Sequence, residues 1–416
     1  MSEAADTTTT PAASRVLLHV GVPKTGTSFV QDLLFANRAR LAEQGINYPA
    51  DRFDAHFLAA LDLMELPWGG LETQAVGAWD RLAEQVRAWP GTSVVSHEIL
   101  ARASRPQVAR ALASFGEAEV HVVLSARDLA RQIPAEWQEN VKHRRTLGYR
   151  DFLETITDPK RSGELASWFW GVQEVPDILA RWGEGLPARN VHLVTVPKPG
   201  GPRDLLWHRF AAVLGLDPEA FEPDPERSNP SLGVPETALV RRLNARVNNG
   251  ALANADYRRF VRELLAHRTL AGRTDSPRLG LPAGVRAWAA DVSRSWVELL
   301  DGAGYDVVGS LDDLLPDTEV VEGAEDFVDP DAPDEKQVQD AALTALVALL
   351  EESTRLARSE EQAQADRKAA YAELEVSRGP WFRLKRRMVS LADRNPAAGL
   401  GLAAYRKVRG RSSRSA

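Results

Sequence analysis

Lys24, Thr25, Gly26, Thr27 and Ser28 follow Pro23 without interruption near the start of the chain. An ammonium, three hydroxyls and a glycine set side by side are the parts of an anion site. The cation supplies charge, the hydroxyls donate hydrogen bonds, and the glycine lets the backbone come close to a phosphate oxygen. Arg127 and Arg131 stand one helical turn apart, and an arginine fork donates twice to a phosphate monoester. His97 and Glu98 are adjacent proton acceptors, and His56 is a third, in Asp54-Ala-His-Phe57. His19 has apolar neighbours and reads as a buried neutral imidazole bonded to backbone, in preference to a catalytic one.

These residues are far apart in sequence, so a fold must gather them. The apolar run 16–20 reads as a buried strand, broken at Gly21 and Pro23. From Ser28 an amphipathic pattern starts, with Phe29, Val30, Leu33, Leu34 and Leu41. A strand, a short loop and a helix N-terminus aim free amides at one spot, where the helix dipole favours negative charge. Three more strand candidates, 92–96, 119–125 and 190–196, are rich in Val and Leu and alternate with helical patterns. That predicts an α/β fold with three α/β/α layers and a mostly parallel central sheet, covered on both faces. Ligands of such sheets bind beyond the carboxyl ends of the strands. The rule places residues 23–28, 96–98 and 126–128 around one crevice.

The nucleotide-kinase P-loop, G-x-x-x-x-G-K-[ST], sets Lys after its last Gly. Here Lys24 precedes Gly26 and the loop is shorter. Pro23-Lys-Thr-Gly-Thr-Ser28 resembles instead the 5′-phosphosulfate loop of sulfotransferases that use 3′-phosphoadenosine 5′-phosphosulfate (PAPS). With His19-Val-Gly-Val-Pro-Lys-Thr-Gly-Thr-Ser28 and then Gly45-Ile-Asn-Tyr-Pro49, the chain is similar to bacterial sulfotransferase-like proteins. Their motifs run H-x-G-x-x-K-T-G-T-[ST] and G-[IV]-x-Y-P.

The resemblance covers residues 15 to about 315. It implies a P-loop-type fold, PAPS as co-substrate and no metal. The implied reaction is in-line transfer of a sulfuryl group to a hydroxyl of a glycan, glycolipid or small molecule. Pro23, Lys24, Thr25, Gly26, Thr27 and Ser28 would hold the phosphosulfate, with Lys24 stabilising the leaving phosphate, and Arg127 would hold the 3′-phosphate. The family's second clamp residue is a Ser about two turns after that Arg. Its position falls near Ala135, and Arg131 could substitute; the other reading of both arginines, and the first for Arg131, is an Arg–Asp surface pair with Asp128 or a neighbour.

The base is sought among three residues, of which Glu98 and His56 could also act together. Related families place a His or carboxylate after the first helix, where His56 lies. Cytosolic sulfotransferases carry a catalytic His at the strand end occupied here by His97 and Glu98. Strand alternation sends those two to opposite sides. Arg227, Asn229 and Ser231 stand where the family closes a loop over the 3′-phosphate, or form a helix cap. Trp137, Trp168, Trp170 and Trp182 read as core before sugar-stacking platforms. Two other readings stay open. An ATP-dependent small-molecule kinase has the loop order and the absence of an Asp-ended strand against it. A nucleotide-binding scaffold without catalysis is kept open by the missing Ser.

Composition limits the remaining classes. The 416 residues suffice for one large domain and an appendage, and a net charge of −7 argues against general nucleic-acid binding. There is no cysteine, which excludes disulfides and thiolate metal ligation. Residues 1–14, Thr- and Ala-rich, are expected to be disordered and carry no secretory pattern, so the expected location is cytoplasmic. Residues 15–315 form the expected α/β domain. Residues 316–335 form an acidic linker, with eleven acidic and no basic residues between 311 and 335. Residues 336–377, without Gly or Pro, read as a helix whose apolar face (Ala345, Leu346, Leu349, Leu350) suits a homodimer. Residues 378–416 carry eleven basic residues and one Asp. With Trp381 and Phe382, that tail suits an anionic membrane at the inner face, where lipid-linked acceptors reside, as well as it suits a solvated segment.

Overall fold

The structure, a computed structural model, describes residues 14–202, 204–221, 231–317 and 327–380, with 384 and 387. The expectations for the N-terminus, for Arg227 and Asn229, and for Trp381, Phe382 and nearly all of the basic tail lie outside the described residues.

Val16, Leu17, Leu18 and Val20 of β1 (Arg15–Gly21) are all buried, so neither face of this strand meets water. It sits inside a six-stranded, all-parallel sheet in the order β2-β3-β1-β4-β5-β6. The others are β2 (Ile46–Asn47), β3 (Thr92–Ser96), β4 (Glu119–Ala126), β5 (Val191–Thr195) and β6 (Asp306–Val308). The four strands expected from the Val- and Leu-rich runs are present. The two edge strands, of two and three residues, are too short to show a period.

Helices cover the sheet. Leu17, Val94, Val123 and Val194 share one core cluster with Val30, Leu33 and Leu34 of α1 (Thr27–Ala36) and with Trp207 and Phe210 of a later helix, Leu205–Leu214. Burying such side chains removes apolar surface at about 25 cal/mol per Å². α2 (Ala55–Met64) and α3 (Leu129–Lys142) carry further site residues. Next come α4 (Tyr149–Thr157), α5 (Gly163–Gln173), α6 (Leu205–Leu214) and α7 (Val234–Val247). A π-helix, Tyr257–Thr269, and α8 (Glu335–Arg378) complete the elements used below.

The first compact unit runs to Ala345, past the boundary expected near residue 315. The described end of the acidic stretch is not merely solvated. Asp331 accepts from the first amides of α4, Tyr149 N at 3.0 Å and Arg150 N at 2.9 Å, and pairs with Arg241. Val338, Ala341 and Ala345 of α8 are buried. The second unit, residues 346–416, carries exposed Leu346, Val347 and Leu350 on α8. Among the described residues no helix is long and apolar enough to cross a membrane.

A candidate anion-binding active site

Since every strand is parallel, Gly21, Ser96 and Ala126 end on one side of the sheet. The backbone ladder continues beyond them, with Val22 N to Ser125 O at 2.8 Å and His97 N to His19 O at 3.0 Å. A buried side-chain relay ties the three strand ends together. Ser96 Oγ lies 2.8 Å from His19 Nδ1, and His19 Nε2 lies 3.2 Å from Ser125 Oγ, which donates to Gly21 O. Burial lowers the His19 pKa to about 4, so the ring is neutral, as its apolar neighbours suggested, but its partners are two serine hydroxyls and not the expected backbone groups.

The loop after β1 turns on left-handed residues. Lys24 has φ 64° and Gly26, which caps α1, has φ 86°. Backbone that alternates handedness in this way directs successive amides inward as a nest. Among the described residues the amides of Lys24 through Phe29 have no backbone acceptor, and the helix ladder begins at Val30 N to Gly26 O. Thr27 is buried and Ser28 is exposed. Thr25 differs from the expectation of a ligand hydroxyl: it donates to Val22 O and touches Ser125 Oγ at 2.6 Å, so it braces the loop from inside.

Lys24 reaches across the loop mouth to Glu139 Oε2 at 2.6 Å. Glu139 also lies 3.0 Å from His143 Nε2 and 3.5 Å from Arg262 Nη2. Burial opposes charge on Glu139, but Lys24, His143 and Arg262 outweigh it and hold the carboxyl well below its usual range. One turn earlier on α3, Glu136 is 5% exposed and accepts from Gln173 Nε2 at 3.0 Å. Burial raises its pKa to about 7, Glu139 and Glu98 add to the shift, and Lys24 and Arg127 oppose it.

Arg127 and Arg131 follow β4 as expected, and Asp128 caps α3 through Arg131 N at 3.0 Å. Arg127 donates through Nε to Gln132 Oε1 at 3.1 Å and through Nη2 to Arg131 O. Gln132 in turn donates to Pro23 O, so the second strand end is bonded to the first loop. Burial and then Arg131 lower the Arg127 pKa to about 10, which leaves it charged at neutral pH. Arg131 is engaged by Asp128 and by Pro197 O, yet its Nη2 is buried with no partner among the described residues. Ala135 occupies the missing Ser position, part-way into the helix.

The three base candidates separate. His56 has both nitrogens occupied by backbone, Nε2 on Pro49 O and Nδ1 on Ser96 N, each at 3.2 Å. It packs on Tyr48, and burial lowers its pKa to about 4. His56 therefore anchors the Gly45–Pro49 motif to β3 and has no nitrogen left for a hydroxyl. His97 accepts from Ile99 N at its Nδ1 and stacks on Phe57, and burial lowers its pKa. Glu98 accepts from Gln31 Nε2 at 2.9 Å. Burial would raise its pKa, but His97, the Gln31 amide and Lys24 hold it below the usual range. Alternation does not separate His97 from Glu98, since the strand ends at Ser96 and a 3-10 turn, Glu98–Arg102, folds back.

Gln31, Gln132, Glu136 and Glu139 escaped the sequence reading. A signal was present for three of them. Gln132, Glu136, Glu139 and His143 recur at helical spacing, a polar stripe on a helix whose neighbouring residues are buried. Of the four tryptophans, Trp137, Trp170 and Trp182 are core, each donating its indole N–H to a carbonyl. Trp168 is half-buried, beside Trp68 and under Arg102.

No protein-family model matches the chain, and no curated protein matches it. Among solved structures it is similar to the crystal structure of a sulfotransferase from Alicyclobacillus acidocaldarius. The identity is 18% and the TM-score 0.35, covering 56% of this chain and 94% of that one. A likeness so distant carries no chemistry.

Proposed function

We propose that this protein transfers a sulfuryl group from PAPS to an acceptor hydroxyl. The observation that supports the reading most is Lys24, a left-handed residue whose ammonium reaches across a loop with unclaimed amides to the carboxylate of Glu139. An anion that enters the loop competes with Glu139 for that ammonium. The amides of residues 24–29 and the hydroxyls of Thr27 and Ser28 would hold phosphate oxygens, and Lys24 would neutralise charge growing on the bridging oxygen. Arg127, oriented by Gln132, would take the 3′-phosphate, with Arg131 Nη2 as the second donor.

Glu98 is the residue we assign as base. It is the candidate kept ionised, it is half-buried at the strand end, and it feels Lys24. Glu98 takes the acceptor's proton while the acceptor oxygen bonds to sulfur and the bond from sulfur to the phosphate oxygen breaks. The nucleotide leaves as 3′-phosphoadenosine 5′-phosphate (PAP).

The test is release of PAP from PAPS with a mixed glycan, glycolipid and phenol acceptor panel, for the wild-type chain and for Lys24→Met. Acceptor-dependent release that the variant loses supports the reading. Transfer of phosphate from ATP–magnesium, or PAPS binding with no turnover on any acceptor, would replace it with the kinase or the scaffold.

A further inference from the structure

Lys142, at the last turn of α3, is 5% exposed, and its ammonium has no hydrogen bond or ion pair among the described residues. Most of the side chain is out of water, yet its Nζ is not fully sealed, so an unpaired cation stands at an opening that an anion could reach. It has company. Arg262, on the π-helix, lies 3.5 Å from Glu139, and its Nε is buried with no partner among the described residues. Lys142 feels Glu139, Lys24, Arg262 and Glu263, and burial lowers its pKa to about 8, leaving it mostly charged at neutral pH. His267, on the same π-helix, adds no charge. Burial first, then Lys142 and Arg262, push its pKa to about 4. Against Lys24, Lys142 and Arg262 stand Glu263 and Glu139, and Glu139 is already shared by Lys24, His143 and Arg262.

Position along α3 says which ligand this cluster serves. Arg131 and Gln132 lie in the first turn, at the end that holds Pro23 and Arg127. Glu139 meets Lys24 two turns later. Lys142 lies one turn further, about 16 Å from Arg131 at 1.5 Å per residue. A nucleotide stretched from Lys24 towards Arg127 therefore leads away from Lys142. In-line displacement brings the acceptor from the side opposite the leaving group.

We propose that Lys142 and Arg262, beside Lys24, form a second anion subsite that seats an acidic group of the acceptor: a carboxylate, sulfate or phosphate ester. The assignment to the acceptor rests on the sulfuryl-transfer reading; the anion subsite does not.

Inorganic sulfate is the probe, titrated by calorimetry into the full chain saturated with PAP, so that the loop is filled. One saturable site is expected, weakened at least tenfold in Lys142→Met and in Arg262→Gln, with PAP affinity changed less than twofold. Lys142→Met is also expected to raise Tm, because it removes an unpaired, largely desolvated charge while keeping the side chain's length; a lysine that only props the fold would lower it. The proposal is overturned if sulfate does not bind the PAP-loaded chain, or if Lys142→Met weakens PAP and leaves sulfate unchanged, which would make the cluster part of the nucleotide site. If PAP itself does not bind, the sulfuryl-transfer reading fails separately. Sulfate binding to the free chain then still tests the subsite: a share lost in Lys142→Met and retained in Lys24→Met upholds it, and its absence overturns it.

Discussion

Lys24 is where charge, backbone and neighbours converge. Its ammonium is taken by Glu139 at 2.6 Å, so the lysine is positioned but not free. Lys24→Met is expected to leave the fold intact and cost roughly 100- to 1,000-fold in transfer rate, the usual effect of removing one donor to developing charge. Glu139→Gln is expected to act in the opposite direction on binding: PAP affinity by calorimetry rises, because the competing carboxylate is gone. Glu98→Gln is expected to lower turnover while leaving PAP affinity within twofold. Glu136 gives a separate, pH-dependent signature. Its carboxyl titrates near 7 when folded and near 4.3 as an unperturbed glutamate, so the folded chain holds an extra proton between those values. Stability from this group is present below the lower value and is lost as pH rises through 7. Glu136→Gln keeps a neutral side chain throughout. Denaturant titrations should show the variant gaining on wild type from pH 5 to pH 8, by up to about 3 kcal/mol. A constant difference across that range would show that the carboxyl is not held protonated.

At the scale of elements, the loop works because β1, α1 and α3 close on it from three sides. Gly26 has φ 86°, and a Cβ there would stand 2.5 Å from Leu206 of α6. Gly21 has φ 129°, and its Cβ would stand 2.8 Å from the Glu98 carbonyl. Gly26→Ala should therefore lower both Tm and PAP affinity, since an alanine is strained in the left-handed region and the Leu206 side chain must also give way. Local pattern made the loop readable: strand, break, Lys24, Gly26 and helix follow one another within a few residues. The four longer strands were readable from their Val and Leu runs. The role of α3 was not, because it depends on contacts 109 and 115 residues away, Gln132 to Pro23 and Glu139 to Lys24. The surroundings of His56 were illegible for a related reason: the Pro49 carbonyl and Ser96 amide that occupy its nitrogens are unmarked in local sequence.

At the scale of the molecule, the first unit includes a piece of chain that composition assigned to a linker. Asp331 caps α4, and Arg273 of the domain pairs with Asp340 of α8. A chain ending at Leu315 should melt below one ending at Ala345, measured by calorimetry at equal concentration. Equal melting would return residues 327–345 to an accessory role. Two buried imidazoles set the acid limit. His19 and His56 have pKa values near 4 when folded and 6.5 otherwise, so stability from keeping them neutral is present above 6.5 and lost as pH falls through 4. The account as a whole stands on the identity of the anion in the Lys24 loop. Calorimetry comparing PAP, adenosine 5′-phosphate and ATP–magnesium tests it most directly. The account predicts PAP binding at one site, weakened at least tenfold when the 3′-phosphate is absent or when Arg127 is Ala, with ATP–magnesium the weaker ligand. ATP–magnesium binding tightly with no response to PAP would contradict it.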